Sequence, residues 1–340
     1  MRVALTGASG DFGTALLRAL VAADDVDEVV AIARRPLRVA DPKIRPVALD
    51  LAVDDLTAAL DGADAVVHCA FVVEEPRDKA AARRVNVDGS ARVLRSAAAA
   101  GARVCVMTSS INAYGPRGGP EVLDETAPLD PDTRHYYMEH KALVELDVRR
   151  WRAENPEADM AVAVLRPTYV VGPDMANSGL ETMRSRLVVY PTPSRSYYQF
   201  LHQDDLVDAY LRVIRDRVDG EFNLGPEGAL SVAELARMNH ARCVPVPITA
   251  ARVLTDVAFR LHLLPYSSHW VTPGEPVTTS RRLREATGWQ PSYSCGDAAR
   301  MMLAGAAATD STSTYGTNTD TDTDTDTDTD TDDPTPRSAR

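Results

Sequence analysis

The segment Tyr137-Met-Glu-His-Lys141 places a phenol and an ammonium four residues apart, which is one face of a helix. A tyrosine hydroxyl titrates near roughly 10 and is a poor proton carrier at neutrality. An ammonium beside it favours the phenolate and brings the group into acid/base range. Such a pair arises by chance on many helices. It gains weight from Val106-Met-Thr-Ser-Ser-Ile-Asn-Ala-Tyr-Gly115, where Ser109 and Ser110 follow an apolar run that reads as a strand. A hydroxyl there could hold a substrate carbonyl or alkoxide oxygen next to the tyrosine.

A second chemical signal opens the chain. In Thr6-Gly-Ala-Ser-Gly-Asp-Phe-Gly13 the glycines Gly7, Gly10 and Gly13 follow a strand pattern and open a helix pattern marked by Phe12, Ala15, Leu16, Ala19 and Leu20. Glycines in that context let the backbone approach a pyrophosphate at a helix N-terminus. A dinucleotide site usually discriminates its ribose about 20 residues further on. Arg34 lies 21 residues beyond Gly13, and no carboxylate ends the second strand, because Asp27 and Glu28 precede it. A guanidinium pairs bidentately with a 2′-phosphate, so NADP is favoured over NAD. The plain alternative is a solvated basic loop. No metal site is expected: the seven histidines include no HExxH, His135 and His140 are five apart, and Cys69, Cys105, Cys243 and Cys295 are scattered.

These groups need a scaffold, and the pattern supplies one. Strands are predicted at Val3–Thr6, Val29–Ala33, Pro46–Leu49, Ala65–Ala70, Val104–Thr108 and Ala161–Leu165, mostly as continuous apolar runs. Helical patterns lie between them, including the Ala-rich Val85–Ala100. Strand–helix alternation of this kind predicts an α/β, doubly wound parallel sheet of Rossmann type over residues 1–170. Residues 171–307 read as a smaller substrate-binding region with helices at Asp204–Arg217, Val232–Ala241 and Ala250–Leu263 and a return to the sheet near Glu221–Leu224. Residues 308–340, with a Thr-Asp repeat from Thr319 to Asp332, read as a disordered acidic tail.

The composition, with 44% hydrophobic and 25% charged residues over 340, excludes a wholly disordered chain or a small disulfide scaffold. The net charge of −12 argues against nucleic-acid and anionic membrane partners. Nine aspartates against two arginines give the segment from Thr309 onward −7, leaving −5 for the rest. No apolar run approaches the roughly 20 residues of a membrane span, and the N-terminus does not read as a signal peptide. A reducing cytoplasm is the expected setting, with Cys69 and Cys105 as packing residues.

Taken together, TGASGDFG, VVHCA, NVDG, TSSINAYG, YMEHK, LRPTYVVGP and FLHQDDLVDAY resemble the extended short-chain dehydrogenase/reductase superfamily, and within it the NAD-dependent epimerase/dehydratase family. The resemblance implies hydride transfer through NAD(P) to or from a small molecule. It gives Tyr137 the acid/base role, Lys141 the lowering of the tyrosine pKa and a hold on the nicotinamide ribose, and Ser110 rather than Ser109 the catalytic hydroxyl. It further implies cofactor contacts from Gly7, Gly10, Asp11, Phe12, Gly13, Asp50, Leu51, His68 and Ala70, with Asn86 as a buttress near the site. For His68, a packed ring satisfied by its neighbours is the competing reading. Relatives that remove water from sugar nucleotides carry an Asp-Glu pair where this chain has Ile111 and Asn112, so 4,6-dehydratase chemistry is not expected. Epimerases of nucleotide sugars hold the diphosphate with an arginine where this chain has Tyr198 and Gln199; Arg195 is out of register. The expected substrate is a small non-nucleotide molecule, lined by Val170–Leu201 and Ala250–Val277, which match no recognition motif. His140, in place of the family's serine, is expected to face solvent rather than tune Lys141. Homodimer formation through the Tyr137 helix is a further implication. A non-catalytic dinucleotide sensor is the alternative.

Overall fold

The computed structural model describes residues 1–309 except 118, 133, 134, 177, 193–195, 265, 272 and 273, and omits the side chains of 178 and 305–309. The Thr-Asp tail and Arg195 lie outside the described residues. Seven strands form one parallel sheet: β1 (Arg2–Thr6), β2 (Glu28–Ile32), β3 (Ile44–Val47), β4 (Ala65–His68), β5 (Val104–Thr108), β6 (Ala161–Pro167) and β7 (Gly220–Leu224). Their order is β7-β6-β5-β4-β1-β2-β3, so the strand order reverses between β1 and β4. That is the Rossmann arrangement, and ligands of such sheets bind at the carboxyl ends beside the reversal. All six predicted strands and the returning strand take their places, with ends shifted by at most two residues.

The apolar runs are continuous because both faces are covered. Leu5, Ala31, Val67, Val106 and Leu165 pack with Leu16, Leu17 and Leu20 of α1 (Asp11–Ala22) and with Leu206, Tyr210 and Val213 of α4 (Gln203–Asp216). On the other face, Ala4, Val30, Val66, Cys105 and Val164 pack with Val93, Leu94 and Ala97 of α2 (Gly89–Ala99). Val144, Val148 and Trp151 of α3 (Tyr136–Glu154) complete that layer. The predicted helix Val85–Ala100 is interrupted: a helical turn at Lys79–Arg83 runs into a π-helical turn, Arg84–Asp88, before α2 begins. The wider turn carries the buried Asn86 and Val87 and re-aims their side chains relative to α2.

After β6 the chain leaves the sheet and builds small parallel pairs: Tyr169–Val171 with Phe200–His202, Leu187–Thr192 with Arg242–Pro247, and Val122–Leu123 with Val277–Thr278. The FLHQDD motif serves this assembly. His202 Nδ1 accepts from Asp204 N–H at 3.3 Å, and the Asp205 carboxylate accepts from the backbones of Ser292 at 2.7 Å and Tyr293 at 3.2 Å.

One buried charged cluster joins the layers beneath the sheet's carboxyl edge. Arg166 on β6 and Glu145 on α3 have fully buried side chains and form a fork-to-fork pair, with Nη2–Oε2 at 2.5 Å and Nε 3.0 Å from both carboxylate oxygens. Ser109 Oγ donates to Glu145 at 2.5 Å, and Arg166 Nη1 donates to the Tyr114 hydroxyl at 2.5 Å. That hydroxyl donates in turn to Asn223 Oδ1 on β7 at 2.8 Å. Removing one partner strands a buried charge. Glu145→Gln is therefore expected to cost about 3–5 kcal/mol, read as a lower denaturant midpoint with an unchanged m-value.

Candidate active site

The glycine turn sits at the reversal point, and its geometry accounts for two of its glycines. Gly7 has φ +73, and a Cβ there would lie 2.5 Å from Ala70 N. A Cβ on Gly13 would lie 2.1 Å from Gly7 O. The turn after β1, the first turn of α1 and the segment after β4 are thus pressed together so closely that only glycine fits. Gly10, whose N–H bonds Gly7 O at 2.9 Å, is the N-cap of α1, and no side chain caps this helix. The first N–H groups of α1 are left to face an anion. This cradle fits a dinucleotide pyrophosphate.

Strand β5 ends in the two serines, and the structure separates their roles. Ser109 points into the charged cluster below, whereas Ser110 caps the short helical turn Ile111–Tyr114 and lies beside the Tyr137 hydroxyl. Lys141, one turn along α3, is buried and donates to Thr108 O at 2.7 Å. Its Nζ lies 3.6 Å above the centre of the Phe71 ring and 5.7 Å from that of Tyr137. Ser110, Tyr137 and Lys141 therefore converge at the carboxyl end of β5, next to the segment that meets Gly7.

The electrostatics differ from the simple expectation. Burial pushes Tyr137 up to about 12, against the pull of the Ser110 hydroxyl and with a further push from Glu275. Burial also pushes Lys141 down to about 7. Burial is the leading cause for both groups, and Tyr137 is held as a phenol.

Other expected residues fall around this centre in varied ways. The Asn86 amide clamps the backbone of Val72, accepting from its N–H at 2.7 Å and donating to its carbonyl at 3.0 Å. It also lies 3.3 Å from His140 Nδ1. His140 is consequently buried, not solvent-facing, and burial followed by Arg83 holds its imidazole down at about 4. Sequence spacing could not reveal this, because the π-turn is what brings Asn86 against that helix face. His68 has both ring nitrogens engaged, with Thr6 Oγ1 at 2.7 Å and Ser90 Oγ at 2.8 Å. Ser90 gives its only proton to Asn86 O, so His68 carries its proton on Nε2 and accepts from Thr6. Its side chain is a strut, and what this segment presents to the cleft is backbone at Cys69 and Ala70.

At the other end of the cradle, Arg34 Nη1 lies 3.4 Å from Asp50, and Arg38 Nη1 lies 3.4 Å from Asp11. Arg38 is a second guanidinium at this edge that spacing from the glycines did not single out. Asp11 also accepts from Ala176 N–H at 3.0 Å, tying the turn to the chain beyond β6. Phe12 is partly buried, and Leu51 is buried with its carbonyl held by Arg92 at 2.6 Å. Gln199 is buried, and its amide pairs with the backbones of Pro226 and Thr278. Among the described residues, no cluster of three His, Cys, Asp or Glu is placed to hold a metal ion, and no helix is long and apolar enough to cross a membrane.

Several residues of the cleft carry no sequence signal. Phe71 packs edge-on to Tyr137 at 5.6 Å, and Trp270 stacks against the same ring at 6.0 Å. Tyr169 and Tyr198 meet at 6.2 Å, and Glu275 is close enough to raise both, after burial itself. Trp270 and Glu275 come from a loop pinned at both ends. Glu75 accepts from Ser267 N–H and Oγ at 2.7 and 2.9 Å, and Val277 pairs with Val122.

A Rossmann-like sheet with a glycine cradle at its reversal point, facing a Ser-Tyr-Lys group, defines a dinucleotide-dependent class of protein. The chain belongs to the NAD dependent epimerase/dehydratase family, whose sequence pattern matches residues 3–225. Among curated relatives, a Streptomyces protein named 3-diazoavenalumate denitrifying reductase is 30% identical over 306 residues, covering 86% of this chain and 97% of its own. Other relatives are longer: the chain spans 29% of an uncharacterised Mycobacterium tuberculosis protein that it matches at 26% identity over 86% of its own length. Among solved structures, MoeE5 in complex with UDP-glucuronic acid and NAD superposes with a TM-score of 0.73 at 21% identity, over 91% of this chain and 99% of that one. DesIV, a dTDP-glucose 4,6-dehydratase from Streptomyces venezuelae with NAD and TYD bound, gives 0.71 at 20% identity, over 92% and 98%. These likenesses carry the fold.

Lys141 makes a stability prediction. Folding lowers its pKa from 10.5 to about 7, so between those values the unfolded chain holds more protons and stability rises with pH. Below about 7 the cost of burying the ammonium is fully present. Lys141→Met is expected to melt several degrees higher than wild type at about pH 6, with the gap closing towards about pH 10. Thermal scans across pH check this.

Proposed function

We propose that the protein is an NAD(P)-dependent reductase acting at a carbonyl carbon of a small, non-nucleotide molecule, with Tyr137 as proton donor. The observation that carries this reading is Ser110 beside the Tyr137 hydroxyl, with Lys141 buried one helical turn away, in front of the glycine cradle. Gly7, Gly10 and Gly13 would hold the dinucleotide, which supplies or accepts hydride when bound. Ser110 and Tyr137 would grip the substrate oxygen, and Tyr137 would pass its phenolic proton to that oxygen as negative charge develops. Lys141 would stabilise the phenolate left behind. A tyrosine held in its protonated form suits reduction, the direction in which a proton is given. A relative that is a reductase by name agrees with that direction.

The residues flanking Ser110 support a simple hydride exchange. Ile111 is buried and Asn112 is an amide, so neither offers the proton transfer that eliminating water requires. Gln199 spends its polar atoms on backbone and offers no charge to a diphosphate. Epimerisation would use the same three residues, and cofactor accounting separates the two: a reductase consumes NAD(P)H, an epimerase turns over without net consumption.

Tyr137→Phe keeps the ring and removes the proton. Its kcat is expected to fall by about 10²–10⁴ with dinucleotide affinity unchanged; activity equal to wild type overturns the assignment. For the cofactor, we read Arg34 and Arg38 as favouring NADP over NAD. Arg34→Ala is expected to weaken NADP binding by about tenfold or more while sparing NAD, and an unaltered ratio of affinities removes Arg34 from that role.

A further inference from the structure

The exposed apolar surface of this chain is concentrated in one lobe. Among the described residues twelve large apolar side chains are exposed, and eight of them lie in residues 182–203 and 235–274. These two segments are held together by the paired strands Leu187–Thr192 and Arg242–Pro247. The Asn239 amide adds bonds to the carbonyls of Arg184 and Ser185 at 2.9 and 3.0 Å. Helix α5 (Ile248–Arg260) follows, and none of its residues is fully buried. Ala251, Thr255 and Phe259, four apart, are half-buried on one face. Val253, Val257 and Leu261 run at the same spacing along the other face, beside Leu254, with Leu263 just beyond. These five are 48–72% exposed. Single apolar side chains on a surface are ordinary, whereas a contiguous stripe marks an interaction site.

The same lobe inverts the charge of the chain. Its two segments hold seven arginines against one acidic residue, Asp256, or +6, which leaves −18 for the rest of the −12 total. Asp256 itself is engaged by the Ser268 N–H at 2.8 Å. The exposed Arg237, Arg242, Arg252 and Arg260 form no salt bridge among the described residues, whereas Arg2, Arg103 and Arg215 elsewhere do. On α5, Arg252 and Arg260 flank the apolar stripe along one side. Net charge argues against an anionic surface only when the charge is evenly spread, and here it is not.

We propose that the outer face of α5 docks on an anionic lipid bilayer, with Val253, Leu254, Val257 and Leu261 at the headgroup–acyl boundary and Arg252 and Arg260 on lipid phosphates. An amphipathic helix with cations beside its apolar stripe lies in the plane of such an interface. The other occupants fit less well. A two-fold dimer through this face would set the patch against itself and bring unpaired arginines together. The Thr-Asp repeat from Thr319 to Asp332 offers carboxylates but no large apolar side chain to cover the stripe. A nucleic acid would use the arginines and leave the aliphatic groups in water.

The test is co-sedimentation of the full chain with vesicles of phosphatidylcholine alone and of phosphatidylcholine mixed equally with phosphatidylglycerol, at roughly 0.1 M salt. The mixed vesicles are expected to bind at least about tenfold more tightly. The double variant Leu254→Ser, Leu261→Ser is expected to abolish binding with melting behaviour unchanged, since both side chains are exposed. Arg252→Gln with Arg260→Gln is expected to remove most of the preference for the mixed vesicles. Absence of binding, equal binding to the two vesicles, or unchanged binding in the serine variant overturns the proposal. So does a dimer, seen by sedimentation velocity without vesicles, that the serine variant dissociates. Capture by duplex DNA that competes with vesicles and survives the serine substitutions overturns it as well.

Discussion

The buried pair of Glu145 and Arg166 organises everything above it. Arg166 lies on β6 and Glu145 on the helix that carries Tyr137 and Lys141, so their contact fixes how that helix sits on the sheet. Buried charge is expensive, and it is tolerated here because the carboxylate and guanidinium answer each other and each meets a hydroxyl as well. Ser109 saturates the carboxylate from the end of β5, and Tyr114 passes the network to Asn223 on β7. With Ser109 committed downward, its neighbour Ser110 is turned the other way, since successive residues of extended chain face opposite sides. The hydroxyl that meets Tyr137 is therefore selected by the charged cluster it does not touch.

Above that cluster the cleft keeps charge low. Tyr137 is held as a phenol, Lys141 is pushed towards neutrality, and Glu275 is raised into the neutral range. Burial is the leading cause in all three. A site of this kind responds strongly to a ligand's own charges, because little water or counter-charge screens them. An anionic, dipolar cradle partner and a reacting oxygen would each meet groups able to change protonation state in reply.

Much of the architecture was legible beforehand because a parallel sheet buried on both faces needs continuous apolar strands, and those runs are plain in the chain. The glycine turn was legible for a similar reason: Gly7 and Gly13 answer steric demands that no other residue meets. Local spacing failed where a backbone irregularity or a distant loop intervened. The π-turn at Arg84–Asp88 brought Asn86 onto His140 and buried a histidine expected at the surface. Trp270 and Glu275 reach Tyr137 only because Glu75 and Val122 hold their loop across more than a hundred residues of chain.

What the chain determined by itself is therefore the sheet, the cradle and the residue types at the end of β5, each set by short-range periodicity or by the size of one side chain. Tertiary structure alone decided which serine faces the tyrosine, which protonation states burial favours, and which aromatic and acidic groups wall the cleft. Those outcomes depend on desolvation and on contacts between segments far apart in sequence, and neither quantity exists until the chain has folded.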